Sequence, residues 1–281
     1  LRVVILMSDL KRCKFFIPGL KRCEYSAVED SNLCYWHHSF YWDSESFAKL
    51  SEIAFQAIGF DLVGMSLTTV SLLEAEFSFA NLRQTELNSC SFSKSSFQST
   101  NLREAYLANT KFESCNLRYS IWEDCELSGG EFQNSDLSGV RFKNTIIRHS
   151  STKQCLLSKL KVEQSVLESL DFGSCKWICE SSYEQNIFPR FTRTKLKNCL
   201  FANADLSFFK FERCEFVNCH FLDTDLQRVN FQQCTFLDTK FEGVSNIDKS
   251  YFDECEFNRS SQESIAIANP NVKFSSKSFD S

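Results

Sequence analysis

Residues 201–241 read FANADLSFFKFERCEFVNCHFLDTDLQRVNFQQCTFLDTKF, and every fifth letter from Phe201 onward is Phe or Leu. The beat reaches back through Leu196 to Phe191. Upstream, one residue out of phase, a longer series starts at Leu62. It runs through Leu67, Leu72, Phe77, Leu82, Leu87, Phe92 and Phe97 and on through Phe112, Trp122, Phe132, Phe142, Leu167 and Phe172 to Trp177. Only Thr152 puts a polar residue on it. A period of five suits neither a helix, near 3.6, nor a strand, at 2. It calls for a repeat architecture with one short unit per five residues.

A small residue stands two places before most of the large ones. Ala75, Ala80, Thr85, Cys90, Thr100 and Ala105 do so in the first series, and Cys199, Ala204, Cys214, Cys219 and Cys234 in the second. The other three positions of each unit are mostly Asn, Gln, Ser, Glu, Lys, Arg or Asp. Two inward positions of unequal size can layer into a solid core while three outward positions meet water.

Units such as Ala80-Asn81-Leu82-Arg83-Gln84, Ala204-Asp205-Leu206-Ser207-Phe208 and Cys214-Glu215-Phe216-Val217-Asn218 resemble those of the pentapeptide-repeat family. The resemblance covers roughly residues 60–257. It implies an all-β solenoid, a right-handed quadrilateral β-helix in which four units make one square coil. About nine coils at about 4.7–4.9 Å each give a rod roughly 40 Å long. It also implies a dry interior without a pore.

Of 281 residues, 29 are Phe, an excess that the repeat accounts for, and the net charge is −5. That acidity argues against direct binding to a nucleic-acid backbone. No apolar run approaches the roughly 18 residues a spanning helix needs. Leu1–Met7 is apolar but too short for a signal peptide, and Met7 can serve as a start. Ten of the 14 Cys fall on the small inward position, where a thiol is a compact apolar filler. They are expected to be reduced and buried, in a cytoplasmic protein.

Cys13, Cys23 and Cys34 stand apart from the repeat, followed by His37 and His38. Three thiolates and one imidazole complete a closed tetrahedral structural zinc site, with Cys13, Cys23, Cys34 and His37 as ligands. His38 can replace His37, and the sequence leaves that choice open. The stretch resembles small Cys-Cys-Cys-His modules, and metal would supply the folding free energy that segment 8–42 lacks. Residues 43–59 carry apolar side chains at helical steps (Phe47, Leu50, Ala54, Ala57, Ile58), with Asp43 or Ser44 as N-cap and Gly59 beyond the end. A helix there would cover the exposed first coil.

Trp177 and Phe191 are 14 residues apart where three units would take 15, and Pro189 lies between them. A loop at 178–190, projecting from a corner, is the expected cause. Residues 258–281 are expected to form a C-terminal cap, with a short helix over Ser261–Ala268 and a tail beyond it.

No nucleophile–base arrangement and no glycine-rich phosphate loop appears, so no enzymatic activity is expected. Acids gather in Glu113–Asp136 and bases in Arg141–Lys161. A non-catalytic scaffold presenting rigid faces and a projecting loop to a protein partner is the expected function. The family resemblance implies an alternative, since members that protect bacterial type II topoisomerases from quinolones mimic DNA. By that route the partner would be DNA gyrase or topoisomerase IV. The oligomeric state is not legible in the sequence.

Overall fold

In each five-residue unit the backbone turns a corner two residues after the large side chain. That residue has a left-handed φ, as at Phe79 (φ 62), Gln84 (φ 58), Asn109 (φ 56), Asn218 (φ 50) and Gly139 (φ 73). A non-glycine residue there costs energy, least for Asn and Asp, which tolerate this region. Asn109, Asn134, Asn144, Asn198, Asn203, Asn218 and Asp238 all sit at such corners. The three outward positions are therefore not equivalent, although sequence polarity alone makes them look alike.

A computed structural model describes residues 57–176 and 188–269. Four corners close one coil, and each residue meets its counterpart 20 positions later: Asn81 bridges Asn101, and Asn116 bridges Asp136. All pairing is parallel, and the strands are at most three residues long. The coils form an all-β solenoid of about nine turns, with one α-helix among the described residues.

The first face carries Leu62, Leu82, Leu102, Trp122, Phe142, Val162, Phe191, Phe211, Phe231 and Phe252 inward, and its upper part is a seven-stranded sheet. The second, around Leu127, Ile147, Leu167, Leu196, Phe216 and Phe236, is another seven-stranded sheet. The third is split into sheets of four and three strands, joined through Ser151 and Asp171 by single bridges. The fourth has single bridges only, such as Asp205 to Asp225.

The large side chains stack along the axis at the coil rise. Phe216 and Phe236 lie 4.8 Å apart and 3° from parallel, and Phe236 and Phe257 are 4.7 Å apart. Phe201, Phe221 and Phe241 repeat this on the third face at 4.7 and 4.8 Å. These are the distances between neighbouring strands, so ring stacking and backbone pairing are satisfied together.

The small inward residues do more than fill space. The large residue's carbonyl has no partner in the next coil's ladder, and the small side chain supplies one. Thr110 Oγ1 donates to Leu87 O at 2.6 Å, Ser135 Oγ to Phe112 O at 2.9 Å and Cys115 Sγ to Phe92 O at 3.3 Å. Cys, Ser and Thr recur there because each is compact and carries a donor for that buried acceptor, which in some units also takes the backbone N–H three residues on, as Leu87 O does from Cys90 N.

Three expected boundaries shift. Ala57 and Gly59, assigned by helical spacing to the end of the capping segment 43–59, belong to the first coil. Ala57 N donates to Glu76 O at 2.7 Å and Gly59 N to Ser78 O at 2.9 Å. The break before Phe191 is one ordinary unit carrying nine extra residues, not three units short of one residue. Val162 pairs with Phe191, 29 positions on, because the ladder resumes only when an inward residue returns to the same face. The loop expected at 178–190 therefore ends earlier: Pro189 O accepts from Lys210 N, and Arg190 opens a strand. At the far end the helix spans Arg259–Ala268, two residues longer than expected, with the Asn258 side chain accepting from Ser261 N as N-cap.

Candidate functional site

The expected zinc ligands Cys13, Cys23, Cys34 and His37, with His38, lie outside the described residues, as do residues 43–56, the loop body 177–187 and the tail 270–281. Among the described residues no three His, Cys, Asp or Glu side chains gather as a metal site. The ten described cysteines are all free and buried. Burial pushes the thiols of Cys90 and Cys115 up to about 11, and that of Cys125 up to about 12. Such thiols stay protonated at neutral pH and are poor nucleophiles. No described helix is long and apolar enough to cross a membrane.

The outward side chains carry the remaining chemistry, and coil stacking sorts them into columns. In several columns opposite charges alternate from coil to coil. Arg148 reaches Glu126 at 3.3 Å and Glu168 at 3.6 Å, and Lys197 meets Glu168 at 2.8 Å. Glu168 is held below its ordinary pKa, first by the hydrogen bond from Lys197 and then by that residue's charge. Lys111–Glu131, Lys153–Asp171 and Lys195–Glu215 are further pairs of this kind.

The first face begins the same way. Arg103 pairs with the nearly buried Glu123 at 2.7 Å, Glu123 reaches Arg141 at 3.6 Å, and Arg141 reaches Glu163 at 3.3 Å. Above Arg141 the alternation stops. Arg141 stands opposite Lys161, Lys161 opposite Arg190, and Arg190 opposite Lys210, in four successive coils. Like charges placed directly opposite one another destabilise a sheet. Among the described residues, Lys161, Arg190 and Lys210 have no carboxylate within ion-pair distance, nor have Lys143, Arg193 and Arg213 on the same face.

An aromatic pair lines the edge of this column. Phe188 and Phe208 stack at 5.3 Å and 8°, with Lys210 Nζ 5.7 Å from the Phe188 ring and Arg228 Cζ 5.5 Å from the Phe208 ring. Acidic residues, in contrast, form no column longer than two coils among the described residues: Glu104 with Asp124, and Asp205 with Asp225. The acid-rich stretch Glu113–Asp136 is spread around all four faces by the coiling. It supplies no long negative face of the kind that DNA mimicry needs.

Residues 65–142 match the family model described as a pentapeptide repeat region, and residues 204–243 match the model for pentapeptide repeats in eight copies. These residues are pentapeptide repeats. No curated protein matches the chain. Among solved structures, the pentapeptide-repeat solenoid is similar to HetL, a pentapeptide repeat protein involved in heterocyst differentiation regulation from the cyanobacterium Nostoc sp. The identity is 19%, over 75% of this chain and 91% of HetL, with a TM-score of 0.46. It is also similar to a trypsin-treated form of QnrB1, a plasmid-mediated fluoroquinolone resistance protein. There the identity is 15%, over 79% of this chain and 98% of QnrB1, again at a TM-score of 0.46. Neither likeness bears on what this chain binds.

The basic column was only half legible in the sequence. The stretch Arg141–Lys161 shows its first members, but Arg148, Lys153 and Lys159 from that stretch fall on other faces or corners. Arg190 and Lys210 lie beyond the insertion, where a search at 20-residue steps from Lys161 misses them.

Proposed function

We propose that this protein is a non-catalytic scaffold whose rigid faces, together with the loop that runs from 178 to the strand at Arg190, contact a protein partner. The observation that carries this reading is the run of bases on the first face. Lys161, Arg190 and Lys210 stand in line in three successive coils of one preformed face, without carboxylate partners among the described residues. Rigid presentation reduces the ordering cost of association, and an unpaired row of charge favours encounter with a complementary surface. Buried cysteines, with the thiols of Cys90, Cys115 and Cys125 held protonated, fit a binding role better than catalysis. The proposal includes a structural zinc held by Cys13, Cys23, Cys34 and His37, which metal analysis of the purified chain tests directly.

The functional test is site-specific photo-crosslinking in source cells. A crosslinker at Thr192 on the first face should capture one defined protein, while crosslinkers at Gln98 on the fourth face and Gln133 on the third should not. Equal capture at all three sites, or none at any, would refute a dedicated protein-binding face.

A further inference from the structure

We propose that the column Arg141, Lys161, Arg190 and Lys210 is the docking surface for an acidic α-helix of a protein partner, lying parallel to the solenoid axis. The inference rests on the scaffold reading and names the chemistry of its partner.

The first argument is spacing. Successive bases on the column are one coil apart, about 4.7–4.9 Å. Carboxylates on one face of an α-helix, at i, i+4, i+7 and i+11, recur about once per 5.4 Å turn. Over the three steps the mismatch grows to roughly 2 Å, which the flexible stems of Lys and Arg absorb. An extended acidic strand repeats its same-face side chains at about 6.6–6.8 Å, and falls out of step by more than one coil over the same length.

The second argument is the company the bases keep. Glu163 and Glu212 lie in the adjacent column of the same face, and Glu212 has no base within ion-pair distance among the described residues. A continuous phosphate backbone would meet these carboxylates as well as the bases. A helix can meet the bases with its acidic stripe and set a basic or neutral residue beside Glu212.

Exposed ion pairs each contribute little, so the column supplies orientation and on-rate more than affinity.

The test uses the full chain and a fluorescein-labelled helical peptide with Glu at i, i+4, i+7 and i+11 and Leu on the neighbouring stripe. A scrambled peptide of equal composition and a single-stranded oligonucleotide serve as comparators. The patterned peptide should bind at least tenfold more tightly than the scrambled one, and more weakly as salt rises. The K161E/R190E variant should lose at least tenfold in affinity. K240E, half that charge change but placed on the third face, should bind like the parent. K161Q/R190Q, which removes the charges without reversing them, should lose affinity with its thermal unfolding unchanged. Equal binding of patterned and scrambled peptides, or equal losses in K240E and K161E/R190E, would overturn the proposal. Tighter binding of the oligonucleotide through the same residues would reassign the column to nucleic acid. If the peptide fails while the Thr192 crosslink still captures a protein, the helix is wrong and the scaffold reading stands.

Discussion

Ser264 Oγ accepts the backbone N–H of Phe241 at 2.8 Å, where the rest of the third face would offer a carbonyl from another coil. Ser261 Oγ does the same for Thr239 N at 2.8 Å, and Ser261 is fully buried. The helix Arg259–Ala268 thus ends the solenoid by chemistry as well as by bulk: the Ser264 hydroxyl replaces a rung of a missing strand, the Ser261 hydroxyl continues a bond that Ser95, Ser135, Ser150 and Ser165 make inside the coils, and Ile265 is buried. Such an end would otherwise be a template for strand addition. Ser261→Ala should cost about 1–3 kcal/mol, the penalty for a buried donor left without a partner. Ser264→Ala, at a partly exposed site, should cost less. Urea denaturation measures both, and light scattering of the double variant should show concentration-dependent association.

The corner geometry can be separated from packing by comparing two glycines. Gly64 has φ +70 with open space around an added Cβ, so Gly64→Ala reads the left-handed penalty alone, about 1–2 kcal/mol. Gly139 has φ +73, and an added Cβ would lie 2.3 Å from Tyr119 Cδ1. Gly139→Ala should therefore be the more destabilising of the two. Equal midpoints in thermal denaturation would show that the Tyr119 ring yields at no cost.

Phe132 is buried against Phe112, 5.2 Å away and nearly parallel, and against the edge of Trp122. Phe132→Ala should cost about 3–5 kcal/mol, and Phe132→Asp should unfold the neighbouring coils because it buries an unpaired carboxylate. Gln133, the next residue, points outward on the same strand, and Gln133→Ala should change stability by less than about 0.5 kcal/mol. Chemical denaturation that found the two positions equally sensitive would reject the five-residue register.

Burial raises the thiols of Cys90, Cys115 and Cys175 to about 11 and that of Cys125 to about 12, while an unfolded thiol ionises near 8.5–9. Above that lower value the unfolded chain releases protons that the native chain retains, so stability is full below about pH 8.5 and falls as pH rises towards 11. Alkaline unfolding should be steep, and Cys90→Ala should make its slope shallower by close to one proton. Thiol-reactive dyes should label these four cysteines in urea but not in the native protein at pH 7.5.

The sequence makes the core legible because its code is local: one large and one small inward residue per unit, read directly from spacing. Every described large residue from Leu62 to Phe241 is inward apart from the polar exception Thr152, which is itself buried. The surface code is not local. Lys161 and Arg190 become neighbours only once the coil length and the nine-residue insertion are known, and neither can be read from a five-residue beat. The left-handed corner escaped for another reason. Its residues are as polar as the other outward positions, and only the preference for Asn, Asp and Gly at Asn109, Asp238 and Gly139 marks it. The cysteines were placed correctly as buried filler, but their donor role needed the carbonyl of the preceding coil to be seen.

The pairing of Val162 with Phe191 has a consequence for how the chain is held together. Among the described residues, rungs that span the insertion include Arg190 N to Leu160 O, Lys195 N to Ser165 O, Leu200 N to Leu170 O and Asp205 N to Cys175 O. Such bonds, on each of the four faces, clamp the lower coils to the upper ones. Covalent continuity through that corner is therefore redundant with the ladder. A protease cut there would leave two fragments joined as one body, and the same corner is where the protein could be split into halves that find each other again.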